Sequence, residues 1–151
     1  LDVTRIYNAL GTTRILPPTE PARSIRPTPR RSSASHEDDG NSFGAVYVNE
    51  AARHALIDER TPRFPVGSVI VREKLARALD VKPQLVIAMV KRERGFNPKA
   101  NDWEFVMLDG NASTIRHREK TGSCQKCHAQ QKQSDFVFRT YLPEELRLKQ
   151  R

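Results

Sequence analysis

Gly122-Ser123-Cys124-Gln125-Lys126-Cys127-His128 holds both cysteines of a 151-residue chain, spaced C-x-x-C and followed at once by histidine. That spacing is the attachment pattern of c-type haem. Two thiols three positions apart on a turn entering a helix can add to the two vinyl groups on one edge of a porphyrin, and the next side chain then reaches the iron. The stretch predicts thioethers at Cys124 and Cys127 and a proximal iron ligand at His128. Two other chemistries compete. A structural zinc site needs about four Cys or His ligands; His117 could be a third beside the cysteines, but His36 and His54 are remote in sequence. A thioredoxin-type redox pair should follow a strand in a βαβ unit, whereas the residues before Cys124 read as charged and turn-like. Covalent haem is the reading favoured.

Upstream of this stretch the pattern is one of short strands. Phe43-Gly44-Ala45-Val46-Tyr47-Val48 is rich in β-formers, and Asn49 can cap a helix over Glu50 to Arg60, stopped by Thr61-Pro62. Ser68 to Lys74 is a β-branched run whose alternation puts Ser68, Ile70, Arg72 and Lys74 on one face. Gln84 to Lys91 is a second strong strand, with Leu85, Ile87, Met89 and Lys91 together. Trp103 to Leu108 is a third, ended by Asp109-Gly110-Asn111. Short connections between such strands argue for an antiparallel sheet. The cysteine stretch then lies on a helix of about ten residues, followed by Asp135-Phe136-Val137-Phe138 and a last helix starting at Pro143-Glu144-Glu145. The expected fold class is α+β: a mainly antiparallel β-sheet with a few short helices.

Residues 1–41 differ in character. They hold half of the ten prolines, a basic run through Arg23, Arg26, Arg30 and Arg31, and Ser32-Ser33-Ala34-Ser35. Apolar residues there are too sparse to offset chain entropy. The segment reads as an extended N-terminal arm or linker, with a short helix near Thr4 to Leu10, ahead of a haem domain over 42–151.

Composition restricts the function classes. No stretch approaches the roughly 20 apolar residues of a membrane span. The net charge of +8 could suit nucleic acid, but the groove-reading helices and aromatic-basic interleaving are missing. Arg116, Arg118, Lys120, Lys126 and Lys132 are expected instead around an exposed haem edge, where a positive rim could steer an acidic redox partner. The chain opens on Leu1 with neither the basic start nor the apolar run of a signal peptide. Haem is attached to such motifs outside the bacterial cytoplasm, so the motif predicts a periplasmic location.

The order Phe64-x-x-Gly67-Ser68-x-x-Val71, a strand ending at Lys91, Asn101-Asp102-Trp103, Cys124-x-x-Cys127-His128 and Ser134-Asp135-Phe136-Val137-Phe138 resembles the cytochrome P-460 and cytochrome c'-beta family. The resemblance runs roughly from Ser42 to Pro143. It implies a β-domain, usually a homodimer, with one five-coordinate haem c open on its distal side. Family enzymes that oxidise hydroxylamine carry a lysine bonded to the porphyrin rim. The matching position here is Arg72, whose guanidinium is a poor nucleophile; Lys74 faces the same way, about 7 Å further along. Their distal carboxylate corresponds to a position at or near Ile87, which has no proton to give.

An apolar distal wall resembles cytochrome c'-beta, whose aromatic-capped pockets bind nitric oxide. Phe64 is the first candidate for a cap and Phe43 a second. The expectation is a periplasmic cytochrome that binds nitric oxide or a similar gas and can relay electrons. The alternatives are a nitrogen-compound oxidising enzyme crosslinked through Lys74, and a six-coordinate electron-transfer cytochrome with Met89 or Met107 on the iron.

Overall fold

Side chains that alternate with period two decide this architecture, because each strand then offers one row of residues to either face of a sheet. The computed structural model describes residues 24–25, 46–77, 80, 82–139 and 142. Six strands lie in the sheet in the order in which they occur in the chain: β1 (Ser24–Ile25), β2 (Val46–Val48), β3 (Val69–Lys74), β4 (Leu85–Lys91), β5 (Trp103–Asp109) and β6 (Ile115–Glu119). Every neighbouring pair is antiparallel. Helix α1 (Glu50–Ile57) joins β2 to β3, and helix α2 (Ser123–His128) follows β6 and runs into a 3-10 helix, Ala129–Ser134. The expected α+β class with an antiparallel sheet is what the molecule has. Residues 1–41 lie outside the described residues except for Ser24–Ile25, which pair with β2. Phe43 and the helix expected from Pro143 lie outside them too.

Both faces of the sheet bury apolar side chains. On the first, Val46, Val48, Ile70, Met89, Trp103 and Phe105 meet Ala52, Ala55 and Leu56 of α1 and Phe64, Phe136 and Val137. On the second, Val69, Val71, Val86, Ala88, Val90, Val106 and Leu108 form a separate core. Strands closed on both sides read as nearly continuous apolar runs, which is why β3, β4 and β5 stand out in the sequence. Each such Val, Leu or Phe contributes about 1.5–3 kcal/mol.

Asn49 does more than begin a helix. Its Oδ1 accepts from the N–H groups of Ala52 (3.1 Å) and Val69 (3.0 Å), and its Nδ2 donates to the carbonyl of Gly67 (2.9 Å), so one side chain ties α1 to the start of β3. The helix stops at Ile57 rather than Arg60. Arg139 caps this end from a distant segment: its guanidinium donates to the carbonyl of Leu56 in the last turn (2.9 Å) and to that of Glu59 just beyond it (2.7 Å).

β6 corrects the expectation of a charged turn before Cys124. Ile115-Arg116-His117-Arg118-Glu119 has one apolar residue in five, so apolar periodicity gives no strand signal. It is nonetheless paired with β5 along Phe105–Leu108, with an irregularity at Met107/Leu108. Edge strands tolerate this composition because one side has no neighbour, and charges there discourage pairing with other chains. Glu104, buried on the second face, anchors the strand by accepting from Arg118, and it also accepts from Arg92 (3.2 Å).

Candidate haem site

The cysteine stretch sits where β6 hands over to α2. The turn is held from below: Asn97, buried in the preceding loop, donates its Nδ2 to the carbonyls of Trp103 (2.8 Å) and Lys120 (2.6 Å). Gly122 then has φ of 142°, in the region side chains avoid, and a Cβ there would run into the Glu119 carboxylate. That carboxylate accepts from the N–H of Cys124 (3.1 Å) and is bonded to His117 Nε2 (2.6 Å). A side chain at 122 would therefore disturb the group that fixes the start of α2.

Cys124 and Cys127 are three apart on α2 and so share a face. Neither is in a disulfide, and both are half-buried. Burial, reinforced by the nearby Glu119 carboxylate, pushes the Cys124 thiol up from 9.0 to about 11. A thiol held protonated is the opposite of a redox-active CxxC, whose pKa is lowered. Although β6 precedes the motif, it is an antiparallel edge strand rather than part of a βαβ unit. For zinc the donor set is short: among the described residues no group of three or more His, Cys, Asp or Glu could hold a metal ion.

His128 is aimed by the segment after α2. Asp135 and Phe136 both take left-handed backbone, φ of 51° and 65°, at roughly 1–2 kcal/mol each. This double turn brings the Phe136 carbonyl to 2.7 Å from His128 Nδ1. A carbonyl only accepts, so Nδ1 carries the ring proton and Nε2 the lone pair, the tautomer of a metal-ligating histidine whose second nitrogen donates to backbone. The ring contacts both Phe105 and Phe138, at centroid separations of 5.2 and 5.0 Å.

What holds the strained turn is a buried carboxylate. Asp135, 1% exposed, accepts from Lys91 Nζ (2.9 and 2.8 Å), from the N–H of Phe64 (3.0 Å) and from Asn101 Nδ2 (2.6 Å). Its own carbonyl accepts from Trp103 Nε1 (2.8 Å), and Lys91 Nζ also lies 4.9 Å from the Trp103 ring. Removing one partner of such a buried pair costs about 3–5 kcal/mol. The separate pieces that carried the resemblance, Phe64, Lys91, Asn101, Trp103 and Asp135, are thus one network. Sequence reading treated each as a marker and missed their common role, though a buried lysine ending a strand is a signal that a carboxylate must meet it.

The first sheet face completes the site. Its register sets Arg72 opposite Ile87, Ile87 opposite Met107 and Met107 opposite His117. Arg72, Ile87 and Met107 are half-buried, whereas the adjacent row of Ile70, Met89 and Phe105 is closed. Lys74 is one step away on the same face, opposite Leu85. Of the two methionines, Met89 is core, 5% exposed, and Met107 is the more open. Phe64 is placed in the core, edge-on to Trp103 at 5.4 Å, with its backbone on Asp135. Arg118 shares the second face with Val106 and is paired with Glu104 while its side chain stays exposed. Lys120 Nζ lies 4.0 Å from the Phe96 ring.

Two thiols on one helix face, a histidine in the ligating tautomer against aromatic rings, and a partly apolar sheet row together fit a haem. The class defined is a β-sheet protein with a c-type haem motif at its edge. The sequence model of the Cytochrome P460 family matches residues 26–139, and the chain belongs to that family. It is therefore a c-type haem cytochrome. No curated protein matches the chain.

Proposed function

We propose that the protein is an exported mono-haem cytochrome that binds nitric oxide or a similar small neutral gas. Cys124 and Cys127 would hold the haem as thioethers and His128 would ligate its iron, which would supply the centre to which a gas binds. The chain supplies the environment, and one observation carries the reading: Arg72 and Ile87 are direct cross-strand partners. These are the positions at which the resemblance puts a porphyrin-linked lysine and a proton-moving carboxylate in the oxidising enzymes. A guanidinium does not add to a porphyrin, and an isoleucine moves no proton. What remains is a pocket wall that excludes water and admits apolar ligands, with Arg72 placed on that wall to make a charge-assisted contact to a propionate or a bound ligand.

Absorption spectra of the purified protein, oxidised and reduced, with and without nitric oxide, test this. A high-spin spectrum that nitric oxide changes, with a normal c-type pyridine haemochrome, is expected. An abnormal haemochrome, or a mass-spectrometric link across Ser68 to Leu75, would establish the crosslinked enzyme instead. A low-spin spectrum indifferent to carbon monoxide would favour methionine ligation, for which the openness of Met107 makes it the better placed of the two.

The remaining parts follow from the same reading. Arg116, Lys120, Lys126 and Lys132 are exposed around β6 and α2 and suit an acidic electron partner. A homodimer, a periplasmic location and an arm over residues 1–41 belong to the proposal. No helix among the described residues is long and apolar enough to cross a membrane.

A further inference from the structure

We propose that Asp135 is the positioning residue for the proximal histidine, and that Lys91 and Asn101 act through it to set the strength of the iron–histidine bond. This rests on the haem reading above. The geometry is a short chain of contacts: Lys91 Nζ and Asn101 Nδ2 hold the Asp135 carboxylate, Asp135 and Phe136 share the left-handed turn, and the Phe136 carbonyl holds His128 Nδ1 at 2.7 Å. Trp103 Nε1 fixes the Asp135 carbonyl from the other side at 2.8 Å.

A hydrogen bond to the far nitrogen raises the basicity of a ligating imidazole, and its effect depends on how firmly the acceptor is placed. Two consecutive left-handed non-glycine residues will relax toward ordinary backbone once their anchor is lost. The carbonyl then moves off Nδ1, electron donation to the iron falls, and the iron–nitrogen bond weakens. The iron potential rises as the ferric state loses that donation.

The test uses the haem-loaded protein. Asn101→Gly removes one donor while suiting the left-handed backbone at that position, φ of 49°. Asp135→Asn combined with Lys91→Met removes the pair without leaving a lone buried charge. Glu104→Gln is the control: it disrupts a buried carboxylate pair with Arg92 and Arg118 on the opposite face. Resonance Raman of the ferrous protein reads the iron–histidine stretch, voltammetry reads the potential, and carbon monoxide titration reads affinity.

Both Asp135-side variants should show a downward shift in the stretch, an upward shift in potential and an affinity change of about tenfold for the double variant, smaller for Asn101→Gly. Glu104→Gln should lose stability and leave all three unchanged. An unmoved stretch and potential in the double variant, with a normal haemochrome, would overturn the positioning role alone. So would shifts of the same size in Glu104→Gln. A wild-type protein with no c-type haemochrome would sink the haem reading itself and this inference with it.

Discussion

At the residue scale, the site is governed by where protons are kept. As a free thiol, Cys124 holds its proton to about pH 11, because burial and then Glu119 disfavour the thiolate. The neutral thiol's contribution to stability is complete below the unfolded chain's value of 9.0 and is lost as pH rises from there to about 11. Alkylation of the haem-free folded chain should therefore show a Cys124 midpoint near 11, moving down in urea and partly down in Glu119→Gln. An identical profile in folded and unfolded chains would refute the burial argument. Glu119 itself shifts the other way: burial would raise its pKa, but the bonds from His117 and Cys124 outweigh that and hold it below the ordinary range. Cys124, Cys127 and His128 stood out as a candidate site because C-x-x-C-H is a compact local pattern, readable without any knowledge of the fold. The carbonyl that orients His128 was not, since it depends on two backbone angles that Asp135 and Phe136 do not advertise.

Among the elements, legibility followed apolar content. β3, β4 and β5 were visible because both of their faces are closed, and α1 because Asn49 opens it. β6 was invisible because its pairing groups are backbone and its side chains are charged. The hairpin joining β5 to β6 is tight for a reason that sequence only hints at. Asp109 accepts from the N–H groups of Ser113 (2.8 Å) and Thr114 (3.2 Å), and a methyl on Gly110 would fall on the carbonyl of Pro83. Backbone is on both sides of that contact, so neither can yield cheaply. Gly110→Ala should destabilise the fold by about 2–3 kcal/mol, read as a lower urea midpoint at constant m-value. A change under about 0.5 kcal/mol, the range of neutral surface substitutions, would show that the approach is not a constraint.

For the whole molecule, the distribution of polar groups matters more than their number. Buried carboxylates serve both faces: Asp135 organises the side that carries His128, and Glu104 locks the edge strand on the other, where Glu73 is buried too. Periodicity predicted the sheet but could not pair Lys91 with Asp135, 44 residues away, because charge complementarity at that range has no local signature. Phe64, the cap candidate that the family resemblance suggested, packs edge-on against Trp103 in the core.

The meander order of the strands has a kinetic side as well. Among the described residues β6 leans on a single neighbour and carries the cysteine stretch at its end, so it can peel away while β2 to β5 stay laddered together. Amide hydrogen exchange should find the 115–119 backbone opening well ahead of β3 and β4; simultaneous exchange of all three would mean that the edge never detaches by itself. A fold that frays first at this margin bares the stretch with Cys124 and Cys127 to reagents while the rest of the sheet stays shut.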